Sequence, residues 1–259
     1  IMMSRWGLDC NLAPGFLIFG LLFFVSGMKN ERYYLLSALF YGLSLYCYAT
    51  IWPVVPFIVL LQGIYLLYVK KARITKWTVA SGLLLGILAI PAFLFLLVNK
   101  GIISEMVTPW LSIPKLVVMR DSEISVAGMA GKMKNLFSIL VNEYDGCYWN
   151  STEQYGMYYK CFLIFAVIGL FYCVKSVYKS LKTRIYDGYV LMGIQFLIAF
   201  VLGSLIYVNV NRINCIYISI IVFMAVGICR TLRLLRKDLK YITEVTVIVF
   251  CVLFVSFEH

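Results

Sequence analysis

Long unbroken runs of apolar residues alternate with short charged links along the chain. Eight runs read as membrane helices, at residues 13–28, 34–50, 53–69, 78–98, 159–178, 187–208, 213–229 and 241–257. A helix needs about 20 apolar residues to cross a hydrocarbon layer of roughly 30 Å. The runs are continuous rather than alternating, which excludes a strand barrel. Pro53, Pro56 and Pro91 fall at or inside runs, where membrane helices tolerate proline because neighbouring groups satisfy the freed carbonyls. The pattern predicts an all-α polytopic transmembrane helix bundle of about eight spans. It forms a single domain over residues 1–259, with one long loop at 100–158.

Composition agrees. The chain is 63% hydrophobic and 14% charged, against roughly 45–50% and about 25% in soluble domains. Too few polar side chains remain to cover a soluble surface. This excludes an ordinary soluble enzyme, a disordered chain and a secreted disulfide scaffold. None of the eight cysteines forms a CxxC pair, and most sit in apolar runs; they read as small helix residues. Cys10 and Cys147 fall on one expected side, where a pairing would be geometrically allowed.

The net charge of +11 comes from 23 Lys and Arg against 12 Asp and Glu. A basic excess can signal nucleic acid, but here it follows the links. Lys29 and Arg32 lie on the first. Lys70, Lys71, Arg73 and Lys76 lie on the third. Lys175, Lys179, Lys182 and Arg184 mark a later one, and Arg230, Arg233, Arg236, Lys237 and Lys240 mark the last. These alternate links are therefore expected in the cytoplasm. Residues 1–12, the turns near 48–53 and 208–213, and the loop 100–158 are then expected outside. Seven acidic residues fall there: Asp9, Glu105, Asp121, Glu123, Glu143, Asp145 and Glu153. The partner implied is a lipid bilayer, not nucleic acid. An outer N-terminus beginning at Ile1 with no signal peptide ahead of it points to the C-terminal part of a longer protein.

A structureless loop as long as 100–158 is uncommon. Within it, Met133, Leu136, Phe137 and Leu140 recur at helical spacing, which predicts an amphipathic helix over 131–142, at the interface or against the bundle mouth.

Four polar clusters could carry chemistry. Arg5, Asp9 and Asn11 precede the first span. Arginine grips phosphate through its two-pronged fork, yet the same residues would serve as an interfacial anchor and helix cap. Asn211 and Arg212 lie between two spans, placed for an anionic headgroup or for capping the turn. Asp145, Trp149 and Asn150 close the long loop, as a sugar-stacking platform or as an aromatic belt with an Asp-Gly turn. Arg120 lies on a segment that reads as a mobile gate or as a solvated loop. Asn150-Ser151-Thr152 also matches a glycosylation sequon.

The chain has no GxGxxG, no phosphate-binding Walker loop and no HExxH. Its sole histidine is His259, so no histidine triad or histidine metal site is assigned. A divalent metal, if used, would need carboxylates. Charged residues are nearly lacking inside the runs, which weakens proton-relay and ion-pump readings.

The segments MSRWGLDCNLAPGFLIFGLLFF (3–24) and YGLSLYCYATIWPVVPFIVL (41–60) resemble bacterial membrane glycosyltransferases of the GT-C fold. More narrowly they resemble the family 39-like group, related to protein mannosyltransferases and aminoarabinose transferases. SIPKL, YDGCYWN and NVNRIN (112–116, 144–150, 209–214) fit the same group. The resemblance implies a multi-pass enzyme of the bacterial plasma membrane with its active site facing outward. It would take a sugar from a polyprenyl-phosphate carrier and move it to a protein, lipid or glycan acceptor. It implies Asp9 as the catalytic acidic position, with Arg5 and Arg212 on the carrier phosphate. The family's first outer loop, which carries a further catalytic acid, has no counterpart here, so this stretch alone is expected to be inactive. The rival readings are a transporter or flippase for a polyprenyl-linked glycan, a non-catalytic membrane subunit, and a polysaccharide polymerase or ligase of another fold. A transporter would need a polar path through the spans, for which Gln62 and Gln195 are among the few candidates.

Overall fold

The computed structural model describes residues 9–107, 112–116, 125–147, 150 and 156–235, with the side chains of Asp9 and Leu235 left aside. A turn of 3-10 helix at Asp9–Leu12 leads into α1 (Ala13–Gly27). There follow α2 (Tyr33–Ser44), α3 (Ile51–Tyr68) and α4 (Lys76–Asn99). A two-stranded antiparallel hairpin, β1 (Met106–Val107) and β2 (Ser112–Ile113), pairs Met106 with Ile113. Beyond it come α5 (Met129–Asn142), α6 (Leu163–Thr183), α7 (Gly188–Leu205) and α8 (Asn214–Leu235). The chain is an all-α polytopic helix bundle.

Six helical stretches are long and apolar enough to span a membrane among the described residues: Cys10–Gly27, Ile51–Tyr68, Lys76–Asn99, Lys160–Thr183, Gly188–Leu205 and Asn214–Leu234. The run 34–50 is corrected. Its helix, α2, has only 12 residues, roughly 18 Å at 1.5 Å per residue. After Ser44 the chain tightens into i−3 hydrogen bonds, with the Leu45, Tyr46 and Cys47 amides donating to Gly42, Leu43 and Ser44, each at 3.1 Å. The Trp52 indole then donates to the Leu45 carbonyl at 2.7 Å. An aromatic donor thus meets a carbonyl that an extended helix would have satisfied. The run 241–257 lies outside the described residues.

The exposed surface shows what surrounds the bundle. On α4, Val79, Leu83, Ile87, Ile90 and Phe93 are exposed at three- and four-residue spacing, and on α6 so are Ile164, Val167, Phe171 and Val174. Apolar stripes of this length are not tolerated in water; against lipid they are the expected outer face. The protein is an integral, multi-pass membrane protein.

Inside, Leu17, Tyr41, Ile58, Leu66, Leu191 and Ile216 are fully buried, one or two from each of α1, α2, α3, α7 and α8. With lipid outside, burial supplies little drive for helices to associate, and close backbone packing takes over. α6 and α8 show it most clearly. A Cβ at Gly169 would strike the Phe223 backbone, and one at Gly227 would strike the Phe165 backbone. The two helices run side by side with their main chains in contact.

The ends of the bundle differ. At one rim the basic links gather. The Arg32 guanidinium lies 5.5 Å from the Trp77 ring centre and Arg184 lies 5.2 Å from that of Tyr68. The Asp187 amide donates to the Tyr65 hydroxyl at 2.8 Å, and Asp187 caps α7 by accepting from the Tyr189 amide at 3.0 Å. Burial and the nearby Tyr65 and Asp187 groups push the Tyr186 hydroxyl pKa upward. The opposite rim carries the residue 10 turn, the bend at 45–50, the close of the long loop and the 206–213 turn.

Candidate functional site

The long loop is held to that second rim by α5. The predicted amphipathic helix forms, with Leu136, Ile139 and Leu140 buried and Phe137 half exposed against Phe200 at 5.8 Å between ring centres. Lys132 is buried. Its ammonium donates to the Ser125 carbonyl and hydroxyl, both at 2.9 Å, and to the Leu205 carbonyl at 2.8 Å. Three donors meet three acceptors, so the charge staples α5 to the end of α7. The Asn135 amide adds a bond to the Val208 carbonyl at 2.9 Å.

From α5 the chain turns through Glu143, which adopts a left-handed φ of 60°, into Asp145. The Asp145 carboxylate gathers its neighbours. It accepts from the Cys147 amide at 3.0 Å, from the Asn150 side chain at 2.8 Å and from the Val210 amide at 3.1 Å. The Asn211 side chain donates to the Asn150 Oδ1. Asp145, Asn150, Asn211 and the backbone beside Arg212 thus form one hydrogen-bonded latch between the loop and the 206–213 turn. The sequence placed these residues on two separate motifs; the fold joins them. Asn150 is buried in the latch, so the sequon asparagine is not on the surface.

Arg212 sits where the turn enters α8. Its amide donates to the Asn209 Oδ1 at 2.8 Å, its Nη1 donates to the Tyr207 carbonyl at 3.1 Å, and its carbonyl accepts from the Thr50 hydroxyl at 3.1 Å. Two residues on, the Asn214 side chain donates to the Cys10 carbonyl. That bond brings the first motif to the same rim. Asp9 begins the 3-10 turn one residue before Cys10, and Asn11 follows it, half-buried. Cys10 and Cys147 do not form a disulfide with each other. Arg5, Arg120 and Trp149 lie outside the described residues.

Glu143 is the residue that sequence reading passed over as a site. It is 1% exposed, and its Oε2 accepts from the Tyr158 amide at 2.9 Å. Burial, and then the Glu143 charge, hold the Tyr158 hydroxyl pKa well above its ordinary value, and that hydroxyl donates to the Leu140 carbonyl. The Tyr158 and Tyr217 rings meet edge to face at 6.0 Å. The one available signal was an acidic residue directly following the apolar last turn of an amphipathic helix. Among the described residues no cluster of His, Cys, Asp and Glu could hold a metal ion.

Comparison with known proteins adds no relative: no family model, curated protein or solved structure matches the chain.

Proposed function

We propose that this protein is a membrane glycosyltransferase that moves a sugar from a polyprenyl-phosphate carrier to an acceptor at the loop-bearing rim, and that this rim faces away from the cytoplasm. The observation carrying the reading is the Asn214–Cys10 hydrogen bond together with the Asp145 latch. These bonds draw residues 9–11, 145–147 with 150, and 209–214 to one end of an apolar bundle. The basic links at the other rim support the orientation through the positive-inside rule.

In the proposed reaction the acceptor oxygen attacks the anomeric carbon. The bond to the carrier phosphate breaks, and the acceptor proton passes to a carboxylate, which the resemblance assigns to the family's first outer loop. Arginines stabilise the departing phosphate; Arg212 and Arg5 take that role. Asp9 orients the acceptor or a metal. Asp145 spends its acceptor capacity within the latch, so it is a positioning residue that fixes Asn150 and the Arg212 turn. Arg120 and Trp149 remain assigned to substrate binding by motif alone.

The transporter reading loses ground to the interior polar groups. Gln62 is engaged by the Tyr41 hydroxyl at 3.2 Å and donates to the Leu191 carbonyl at 3.4 Å. Gln195 is buried with no hydrogen-bond partner among the described residues. Isolated amides of this kind do not make a polar path. The test is sugar transfer from a polyprenyl-phosphate donor in membranes carrying the full-length protein, with Asp9→Asn and Arg212→Ala. Normal activity in both, at normal expression, removes the assignment.

A further inference from the structure

At the basic rim, far from the latch, α4 leans on α2 and leaves a cavity of about 210 Å³ between α2, α3 and α4. Its walls are mostly apolar, with Val59, Leu66 and Leu85 among them, and Arg73 stands at the link that closes its end. Leu67 and Ile74 line it and are exposed, which marks its open side toward lipid. Two details give the cavity a polar end. Tyr34 is 5% exposed and lines the cavity, yet its hydroxyl has no hydrogen-bond partner among the described residues. The other hydroxyls on the wall are used: Ser37 donates to the Gly20 carbonyl at 2.8 Å, and Ser81 to the Thr78 carbonyl at 2.8 Å.

We infer that this cavity is a binding site for one anionic phospholipid, with an acyl chain between α3 and α4 and the phosphate at Arg73 and Tyr34. The chemistry divides along the cavity. Acyl methylenes gain nothing by leaving bulk lipid for an apolar wall, so selectivity comes from the polar end. There a guanidinium offers a two-pronged grip on a phosphate and an idle tyrosine hydroxyl offers a further donor, whose burial unsatisfied is otherwise costly. Lys70, Lys71 and Lys76 flank Arg73 in the sequence and are exposed at the same rim; they outnumber Glu31, whose charge reaches Tyr34, so the headgroup preference is for net negative charge. A zwitterionic headgroup meets the same walls but carries its own cation into a basic rim.

Two glycines make the test clean. Gly63 and Gly82 line the cavity, and a Cβ added at either meets nothing within 4 Å. Leucine at both fills the space from the acyl side without touching the charge. Native mass spectrometry of the purified full chain, titrated with phosphatidylglycerol or phosphatidylcholine of identical acyl chains, reads the site directly. The parent chain retains one phosphatidylglycerol at a concentration at least fivefold lower than phosphatidylcholine. Gly63→Leu/Gly82→Leu weakens that retention at least tenfold. Arg73→Gln and Tyr34→Phe leave a bound lipid but reduce the headgroup preference. Gly82→Leu alone serves if the double variant does not elute as a single species. Equal retention of the two lipids by the parent chain, unchanged retention in the filled variants, or an undiminished preference in Arg73→Gln overturns the site.

Discussion

The Asp145 carboxylate accepts the backbone N–H of Val210 at 3.1 Å, across 65 residues of sequence and a change of element. One side chain therefore decides how the long loop closes against the turn that presents Arg212. Replacing Asp145 with Ala leaves the Cys147 and Val210 amides without that acceptor. A buried donor left unsatisfied costs about 1–3 kcal/mol. The thermal midpoint in detergent should fall, and the 143–150 segment should become sensitive to proteases. Asp145→Asn, which keeps one acceptor oxygen, should lose less. An Ala variant as stable and protease-resistant as the parent would show that the latch holds nothing.

The α6–α8 seam gives a sharper contrast. Leucine at Gly169 or Gly227 has to push two backbones apart, because each added Cβ meets main chain rather than a movable side chain. Overpacking typically costs about 1–3 kcal/mol, and this seam sits at the upper end. Loss of a single species on size-exclusion chromatography is expected for both. Gly86→Leu, where a Cβ meets nothing within 4 Å, is the control and should behave as the parent.

Tyr158 links acidity to stability. Its hydroxyl pKa is raised in the folded protein by burial and then by Glu143, so the neutral form is favoured there. The associated stability is complete below the unfolded value of about 10 and is lost as pH climbs through the higher folded value. Absorbance at 295 nm should show a late-ionising tyrosine component that diminishes in Tyr158→Phe. Glu143→Gln keeps an acceptor for the Tyr158 amide but removes the charge, and should move that ionisation toward the ordinary range. An unmoved titration would break the link between the two residues.

Lys132 should be intolerant of truncation. Its ammonium serves two carbonyls and a hydroxyl, and Lys132→Met removes these charge-assisted bonds, leaving the Leu205 carbonyl to the Ser125 amide at 3.2 Å. A cost of about 1–3 kcal/mol follows, visible as an earlier thermal midpoint and faster hydrogen exchange in α5. Hydrogen exchange in α5 identical to the parent would count against the staple.

In the transfer assay, Arg212→Ala should lower kcat by roughly a hundredfold or more, the scale of losing one stabilising donor to developing charge, and Asp9→Asn by about a hundredfold, the scale of misplacing a reactant. Arg212→Lys should recover only part, because a lysine keeps the charge and not the fork.

The helices were legible because hydropathy records immersion, and immersion is local. It could not show where α2 stops: residues 45–50 are as apolar as the helix before them, and the Trp52 indole on the Leu45 carbonyl is a tertiary fact. The amphipathic α5 was legible from Leu136 and Leu140 because its apolar face repeats at helical spacing. The latch was not. Asp145, Asn150 and Asn211 were each visible as polar residues near a rim, but their joining depends on contacts 61 and 65 residues apart. The 204-residue reach from Asn214 to Cys10 has no sequence signature at all. Glu143 escaped because its burial is set by the 156–158 segment that folds over it, not by its own neighbours.

The glycine seam also decides which half of the bundle can flex. Two backbones pressed together without an intervening side chain have no rotamers to rearrange and no slack for sliding, so α6 and α8 behave as one beam. Any breathing needed to admit a bulky amphiphile then falls to α4, which packs chiefly on α2 and whose other flank is solvent hydrocarbon.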